Sequence, residues 1–197
     1  VERSWAEKMR VDRMRFIDRR AGVPLCFALS CLHRLGKIFK RKRYEKKPDK
    51  ILFIELSEMG SIVLAYTLFK KTRELLPDAE LYFLTFKENR GAADILRVFK
   101  EENILTIDSD NFLSFLTSTL NVLRKVRRIR ITTTVDMELF ARFTAVLSYL
   151  SGAKLRVGYY RYHNEGLYRG NFLTHKVSFN PHLHMAYNLL NLAYALD

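Results

Sequence analysis

Residues 50–69 read K-I-L-F-I-E-L-S-E-M-G-S-I-V-L-A-Y-T-L-F. Ile51 to Ile54 form a short apolar run rich in β-branched and aromatic residues, the length of one buried strand. A tight polar turn follows over Glu55, Leu56, Ser57, Glu58, Met59, Gly60 and Ser61. Beyond it, Ile62, Val63, Tyr66 and Phe69 recur at helical spacing, with Lys70, Lys71, Arg73 and Glu74 as the polar face. The order is therefore strand, turn, helix. In α/β sheets such a turn sits where ligands bind, because the free N–H groups and positive dipole end of the next helix point into the crevice. This turn is the expected reactive centre.

Downstream the same alternation repeats. The first strand is expected at Ile51–Glu55 and the first helix at Met59–Leu76, stopped by Pro77. Leu81–Thr85 reads as strand two, Asn89–Phe99 as a helix and Ile104–Ile107 as strand three. Asp108 to Asp110 can cap a helix that runs to Arg128. Ile129–Val135 reads as strand four, Leu139–Leu150 as a helix closed by Gly152, and Leu155–Tyr159 as strand five. A long polar loop spans Gly158 to Thr174 and leads to a short strand, Lys176–Phe179. Asn180-Pro181 then signals a last helix over His182–Leu196. Strands alternating with helices predict an α/β fold with a Rossmann-like, doubly wound parallel sheet.

Residues 1–49 are of another character. The chain of 197 residues carries a net charge of +13, unevenly spread. Residues 1–50 hold 16 Lys/Arg against 6 Asp/Glu, and residues 51–197 hold 18 against 15. The basic character belongs to the N-terminal segment, which implies an anionic partner. Residues 21–32, A-G-V-P-L-C-F-A-L-S-C-L, contain no charge and precede the dense basic block H-R-L-G-K-I-F-K-R-K-R-Y-E-K-K-P-D-K. Twelve apolar residues with Pro24 among them are too few to span a bilayer, which needs about 20. The basic, apolar, basic order predicts a helical segment that dips into one leaflet and holds anionic headgroups. The plainer alternative is a core helix beside a solvated charge run. No nucleic-acid-reading motif accompanies the basic block, so nucleic acid is not an expected partner. Cys26 and Cys31 lack C-x-x-C spacing and read as buried or lipid-facing residues. No secretory signal peptide is apparent.

Three polar clusters fall at strand ends or in loops. The first is Ser57, Glu58 and Ser61 around Gly60. The second is Asp136, Glu138 and Arg142, after strand four. The third is Arg161, His163, Asn164, Glu165, Tyr168 and Arg169, in the long loop. A doubly wound sheet brings the first two to one edge. A carboxylate there can serve as general base on a sugar hydroxyl, and Arg142 or Arg169 can hold a phosphate or carboxylate. The structural alternative has Asp136 capping the next helix, Glu138 and Arg142 forming an i,i+4 surface pair, and the loop merely solvated. His163, His175, His182 and His184 match no zinc spacing, so no metal is expected. The turn carries one glycine only, with neither a G-x-G-x-x-G nor a Walker loop, and no serine sits in a G-x-S-x-G elbow.

Five stretches then fall in a recognisable order. They are K-I-L-F-I-E-L-S-E-M-G-S-I-V-L-A, L-P-D-A-E-L-Y-F-L, V-D-M-E-L-F-A-R, L-S-G-A-K-L-R-V-G-Y and L-T-H-K-V. Together they resemble the family 9 glycosyltransferases, the heptosyltransferase-like enzymes of bacterial lipopolysaccharide assembly. The resemblance covers residues 50–197 and implies the N-terminal, acceptor-side half of a GT-B enzyme. The half that binds most of the nucleotide-sugar donor is then expected outside this chain, and this chain alone is expected to be inactive. The resemblance implies an inverting, metal-independent transfer from a nucleotide-sugar to a lipid-linked or lipopolysaccharide-type acceptor, with no cofactor. Work at the cytoplasmic face of the inner membrane would follow. The family's first turn ends M-G-D, with the aspartate as proposed base. Ser61 occupies that position here, and Glu58, three residues earlier, is the natural substitute. Ser57, Gly60, Ser61, Asp136, Glu138, Arg142, His163, Glu165 and Arg169 would line the acceptor side. The alternative from another class is a non-catalytic, membrane-associated Rossmann module that binds a glycan or a partner.

Overall fold

The computed structural model describes residues 5–38, 48–139, 141–162 and 168–196. One long helix, α1 (Trp5–Ile38), precedes the sheet. Then come β1 (Lys50–Ile54), α2 (Met59–Leu64), α3 (Tyr66–Leu75) and β2 (Glu80–Phe86). A 3-10 turn at Lys87–Asn89 leads into α4 (Arg90–Leu96). Next are β3 (Ile104–Ile107), α5 (Phe112–Ile129), β4 (Thr133–Asp136) and α6 (Arg142–Leu150). The last elements are β5 (Leu155–Tyr162), β6 (His175–Phe179) and α7 (Met185–Tyr194). All five strand pairs are parallel, in the order β3-β2-β1-β4-β5-β6. This is the predicted Rossmann-like sheet, and its order reverses between β1 and β4.

A parallel sheet must be covered on both faces, and the strand residues show how. Ile51 and Phe53 of β1 point into one core, with Leu68 and Phe69 of α3, Ala92 and Ala93 of α4, and Leu189 and Leu192 of α7. Phe53, Phe69, Phe83 and Phe99 interlock there with ring centroids 4.9 to 6.1 Å apart. Leu52 and Ile54 point the other way, towards Val122 and Val126 of α5 and Leu147 of α6. The period-two alternation of β1 thus feeds two separate cores.

Several boundaries differ from the sequence expectation, each for a local reason. The expected helix Met59–Leu76 bends at Ala65 into α2 and α3. The i→i−4 bonds Ala65 N–Ser61 O (2.9 Å) and Phe69 N–Ala65 O (3.0 Å) persist across the bend. Ile129, expected to open strand four, closes α5 instead, because Val122, Val126 and Ile129 continue its apolar spacing. Arg130 then ends the helix in the left-handed region (φ 61°) and the strand starts at Thr133. Asp136 therefore belongs to β4 and does not follow it. Asn111, rather than an aspartate of 108–110, caps α5 by accepting from Ser114 N at 2.9 Å. The stretch Asn89–Phe99 forms a 3-10 turn and the shorter α4, which ends at a left-handed Arg97. Asn180 makes a local turn, accepting from His182 N at 3.0 Å. Helix α7 starts later, with His184 as its cap.

At the N-terminus the expected helical segment forms, and it also docks on the domain. The apolar run 21–32 is the middle of α1, which packs lengthwise on α6. Asp18, Gly22, Cys26 and Ser30 form the facing stripe at spacing i, i+4. Cys26 is buried with Ala145 and Val146 of α6 and with Phe172. A Cβ at Gly22 would come within 2.9 Å of Arg142 Cδ, so only glycine allows this approach. Ser30 Oγ accepts from Asn171 N at 2.8 Å. With α5 and α6, α1 completes one helical layer of the domain. The stretch 168–173, expected as solvated loop, is likewise packed, with Phe172 and Leu173 buried.

Candidate active site

The C-terminal ends of β1 and β4 lie side by side, since Ile54 is paired with Asp136. Four carboxylates gather there: Glu55, Glu58, Asp136 and Glu138. Three of them are buried, and Glu58 is exposed.

Glu138 holds the β1 turn in shape. Its Oε1 accepts from Leu56 N at 3.1 Å and Ser57 N at 2.9 Å, and from the Ser57 hydroxyl. From the opposite side, Asn89 Nδ2 donates to Leu56 O at 2.7 Å. The turn is thus clamped by β4 on one flank and by the end of β2 on the other. Glu55 lies buried against Glu138. Burial first, and the neighbouring Glu138 second, push its carboxyl well above the usual carboxylate range.

Asp136 is fully buried and bound to one cation, Arg169. The Arg169 guanidinium also donates to Glu138 O (2.6 Å), Ala141 O (2.9 Å) and Thr144 Oγ1 (2.9 Å). Four of its five N–H directions are engaged within the protein. Burial raises the Asp136 carboxyl to about 6 although Arg169 opposes the shift. Arg142 is similarly engaged, donating to Tyr168 O at 2.9 Å and to Asp18 Oδ2 at 3.2 Å.

These contacts revise the expected roles. Asp136, Glu138 and Arg169 form a buried scaffold behind the turn and do not line an open surface. Arg142 pairs with Asp18 of α1, not with Glu138 at i−4, and Arg142 and Arg169 are both committed to protein acceptors. His163 and Glu165 fall outside the described residues. Among the described residues at this edge, Ser57, Glu58, Met59 and Gly60 of the turn are exposed. Ser61 is buried and donates its hydroxyl to Glu58 Oε2 at 3.3 Å. A Cβ on Gly60 would meet nothing within 4 Å, so the space above the turn is open.

Three supporting residues were missed in the sequence reading: Asn89, Glu55 and Asp18. Asn89 carries a signal, an amide three residues past the end of β2, the strand beside β1. Glu55 carries another, a charge at the end of an otherwise apolar strand. Asp18 carried none, because its partner lies 124 residues away. Among the described residues, no group of three or more His, Cys, Asp and Glu is arranged to hold a metal ion.

The fold has solved counterparts. A family 9 glycosyltransferase from Veillonella parvula superposes with a TM-score of 0.64 at 14% identity, covering 77% of this chain and 42% of that one. The fold is that of the family 9 glycosyltransferases. The E. coli ADP-heptose lipopolysaccharide heptosyltransferase II matches with a TM-score of 0.60 at 16% identity, over 74% of this chain and 40% of that one. The E. coli heptosyltransferase WaaC with ADP-2-deoxy-2-fluoro heptose matches with a TM-score of 0.61 at 10% identity, over 73% and 47%. The chain spans less than half the length of these proteins. No family model and no curated protein sequence matches it.

Proposed function

We propose that this chain forms the acceptor-side half of a GT-B glycosyltransferase, with residues 50–197 as the Rossmann-like unit and α1 as its N-terminal extension. The reaction is transfer of a sugar from a nucleotide-sugar to a hydroxyl of a lipopolysaccharide-type acceptor, with inversion and without a metal. The observation that carries this reading is the exposed Glu58 on a turn clamped by Glu138 and Asn89, at the point where the strand order reverses. A general base needs a fixed position within hydrogen-bond reach of the proton it takes. Glu58 has that support, and the open space at Gly60 leaves room for a hydroxyl. Glu58 removes the proton as the acceptor oxygen attacks the anomeric carbon. The sugar–phosphate bond breaks, and the nucleoside diphosphate departs into the half that holds the donor.

The fold neighbours support the donor class: one is named for ADP-heptose and another holds an ADP-heptose analogue. The test is direct. The protein that carries this chain is incubated with a panel of nucleotide-sugars and lipopolysaccharide-core acceptors, and products are read by mass spectrometry. A mass gain of one sugar on the acceptor, with release of nucleoside diphosphate, is the expected result.

A second reading is a glycan-binding module without transfer. It is favoured by Ser61, a poor base at the position where the family pattern has aspartate, and buried here. Acceptor binding with no product across the panel would establish that reading and overturn the first.

A further inference from the structure

Over residues 18–35, helix α1 turns much of its apolar surface outwards. A helix that packs on a soluble domain puts its apolar face inwards and its polar face in water. Here the inward stripe is mostly small or polar, with Asp18, Gly22, Cys26 and Ser30, and Leu29 packs partly buried beside it. His33 continues it against the ring of Tyr149, with centroids 5.5 Å apart. The outward face carries Val23, Leu25, Phe27, Leu32 and Leu35, each 39 to 63% exposed. No charge interrupts residues 21–32. Arg20 and Arg34, both exposed, flank this strip. No described helix is long and apolar enough to cross a membrane.

We propose that α1 seats the protein on an anionic bilayer, its outward apolar strip entering the acyl boundary and the flanking cations holding the headgroups. Three observations select this occupant. Five large apolar side chains within 13 residues of one helix are exposed, Val23, Leu25, Phe27, Leu32 and Leu35, with no charge between residues 21 and 32. Its borders are basic, which matches an anionic surface and opposes self-association of a chain with net charge +13. The inward stripe is fixed by the Asp18–Arg142 contacts, by Gly22 and by Ser30, so α1 is not free to roll its apolar side onto the domain.

The arrangement also sets an orientation. Asp18 meets the start of α6, at the sheet edge that carries Glu58, and His33 meets Tyr149 near its end. The bilayer would run along the α1 side of the domain, with the turn 57–61 near one end of the seated helix. This inference stands without the glycosyl-transfer reading, since it uses none of the turn residues.

The experiment is flotation of the whole chain with vesicles of phosphatidylcholine and phosphatidylglycerol (7:3) and with phosphatidylcholine alone. A second readout is an environment-sensitive fluorophore on Cys31, which is exposed. Cys26 is buried and its thiol is pushed up to about 11, so labelling goes to Cys31. The wild type should float with anionic vesicles only, blue-shift its label, and weaken more than tenfold between 0.1 and 0.5 M salt. The double substitution Phe27→Glu/Leu32→Glu should cut partitioning more than tenfold with an unchanged melting curve, because both side chains point outwards. Three results would overturn the proposal: equal flotation of the variant, no binding by the wild type, or a wild-type dimer that the double variant dissolves. The last would make the strip an interface between copies.

Discussion

Asp18 on α1 and Arg142 on α6, 124 residues apart, are joined by two hydrogen bonds, and Phe143 adds a third to the same carboxylate. Asp18 Oδ1 accepts from Arg142 N and from Phe143 N, both at 3.0 Å, and Asp18 Oδ2 accepts from Arg142 Nη1 at 3.2 Å. One carboxylate thus caps α6 and neutralises its first side chain. Helix α6 lacks a cap of its own, since Ala141 precedes it with no side-chain bond. The N-terminal helix is therefore a working part of the domain.

Replacing Asp18 with Ala should lower stability by about 2 kcal/mol or more, because a cap is lost and a buried guanidinium loses its counter-charge. Asp18→Asn keeps the cap and loses only the charge, so it should fall between wild type and Asp18→Ala. Urea melts followed by circular dichroism check the order. Equal stability of all three would mean that α1 docks by other means.

The buried carboxylates set a pH dependence. Glu55 and Asp136 both bind protons more tightly folded than unfolded, through burial first. In the window between the unfolded and folded values the native state holds more protons, so stability falls as pH rises. For Asp136 the window runs from about 4 to about 6, and Glu55, raised by burial, acts in the same sense. Glu80 and Asp108 are held low, chiefly by hydrogen bonds from Tyr82 and from the Asp110 backbone, and act in the opposite sense. Both are accessible to solvent, which keeps their effect small. Thermal melts from pH 4 to 8 should show the decline, and Glu55→Gln, which cannot ionise, should reduce it. A midpoint that climbs steadily over this range would contradict the upward shifts of Glu55 and Asp136.

Gly60 separates folding from function. Its Cβ position is empty and its backbone is helical, so Gly60→Ala should leave stability unchanged or raise it by up to about 1 kcal/mol. If an acceptor lies over the turn, the same methyl group should raise the acceptor KM severalfold. Wild-type KM in Gly60→Ala would place the acceptor elsewhere.

The sheet was legible from its strands and turns. Ile51–Ile54 and Leu81–Leu84 are short apolar runs with turn residues at both ends, and a parallel sheet demands such runs. The β1 turn was legible as the site edge for the same reason. Ile129 was not, because I-R-I-T-T-T-V satisfies strand alternation while Val122 and Val126 draw its first residue into a helix. The loop residue Arg169 looked like a ligand-binding cation from composition alone. Its engagement with Asp136 and Thr144 depends on a fold contact more than 20 residues long, which spacing does not encode. The outward face of α1 was half legible: the uncharged run 21–32 marked the helix, but only its docking shows which residues face out.

The central claim rests on Glu58. The most direct measurement is kcat for sugar transfer by wild type and Glu58→Gln, in the protein that carries this chain and with saturating donor and acceptor. Glu58 is exposed and makes no contact that clamps the turn, so the variant should fold and bind acceptor as before. Its kcat should fall by roughly 10²- to 10⁴-fold, the loss expected on removing a general base. Unchanged turnover in a folded Glu58→Gln protein would show that another group takes the proton.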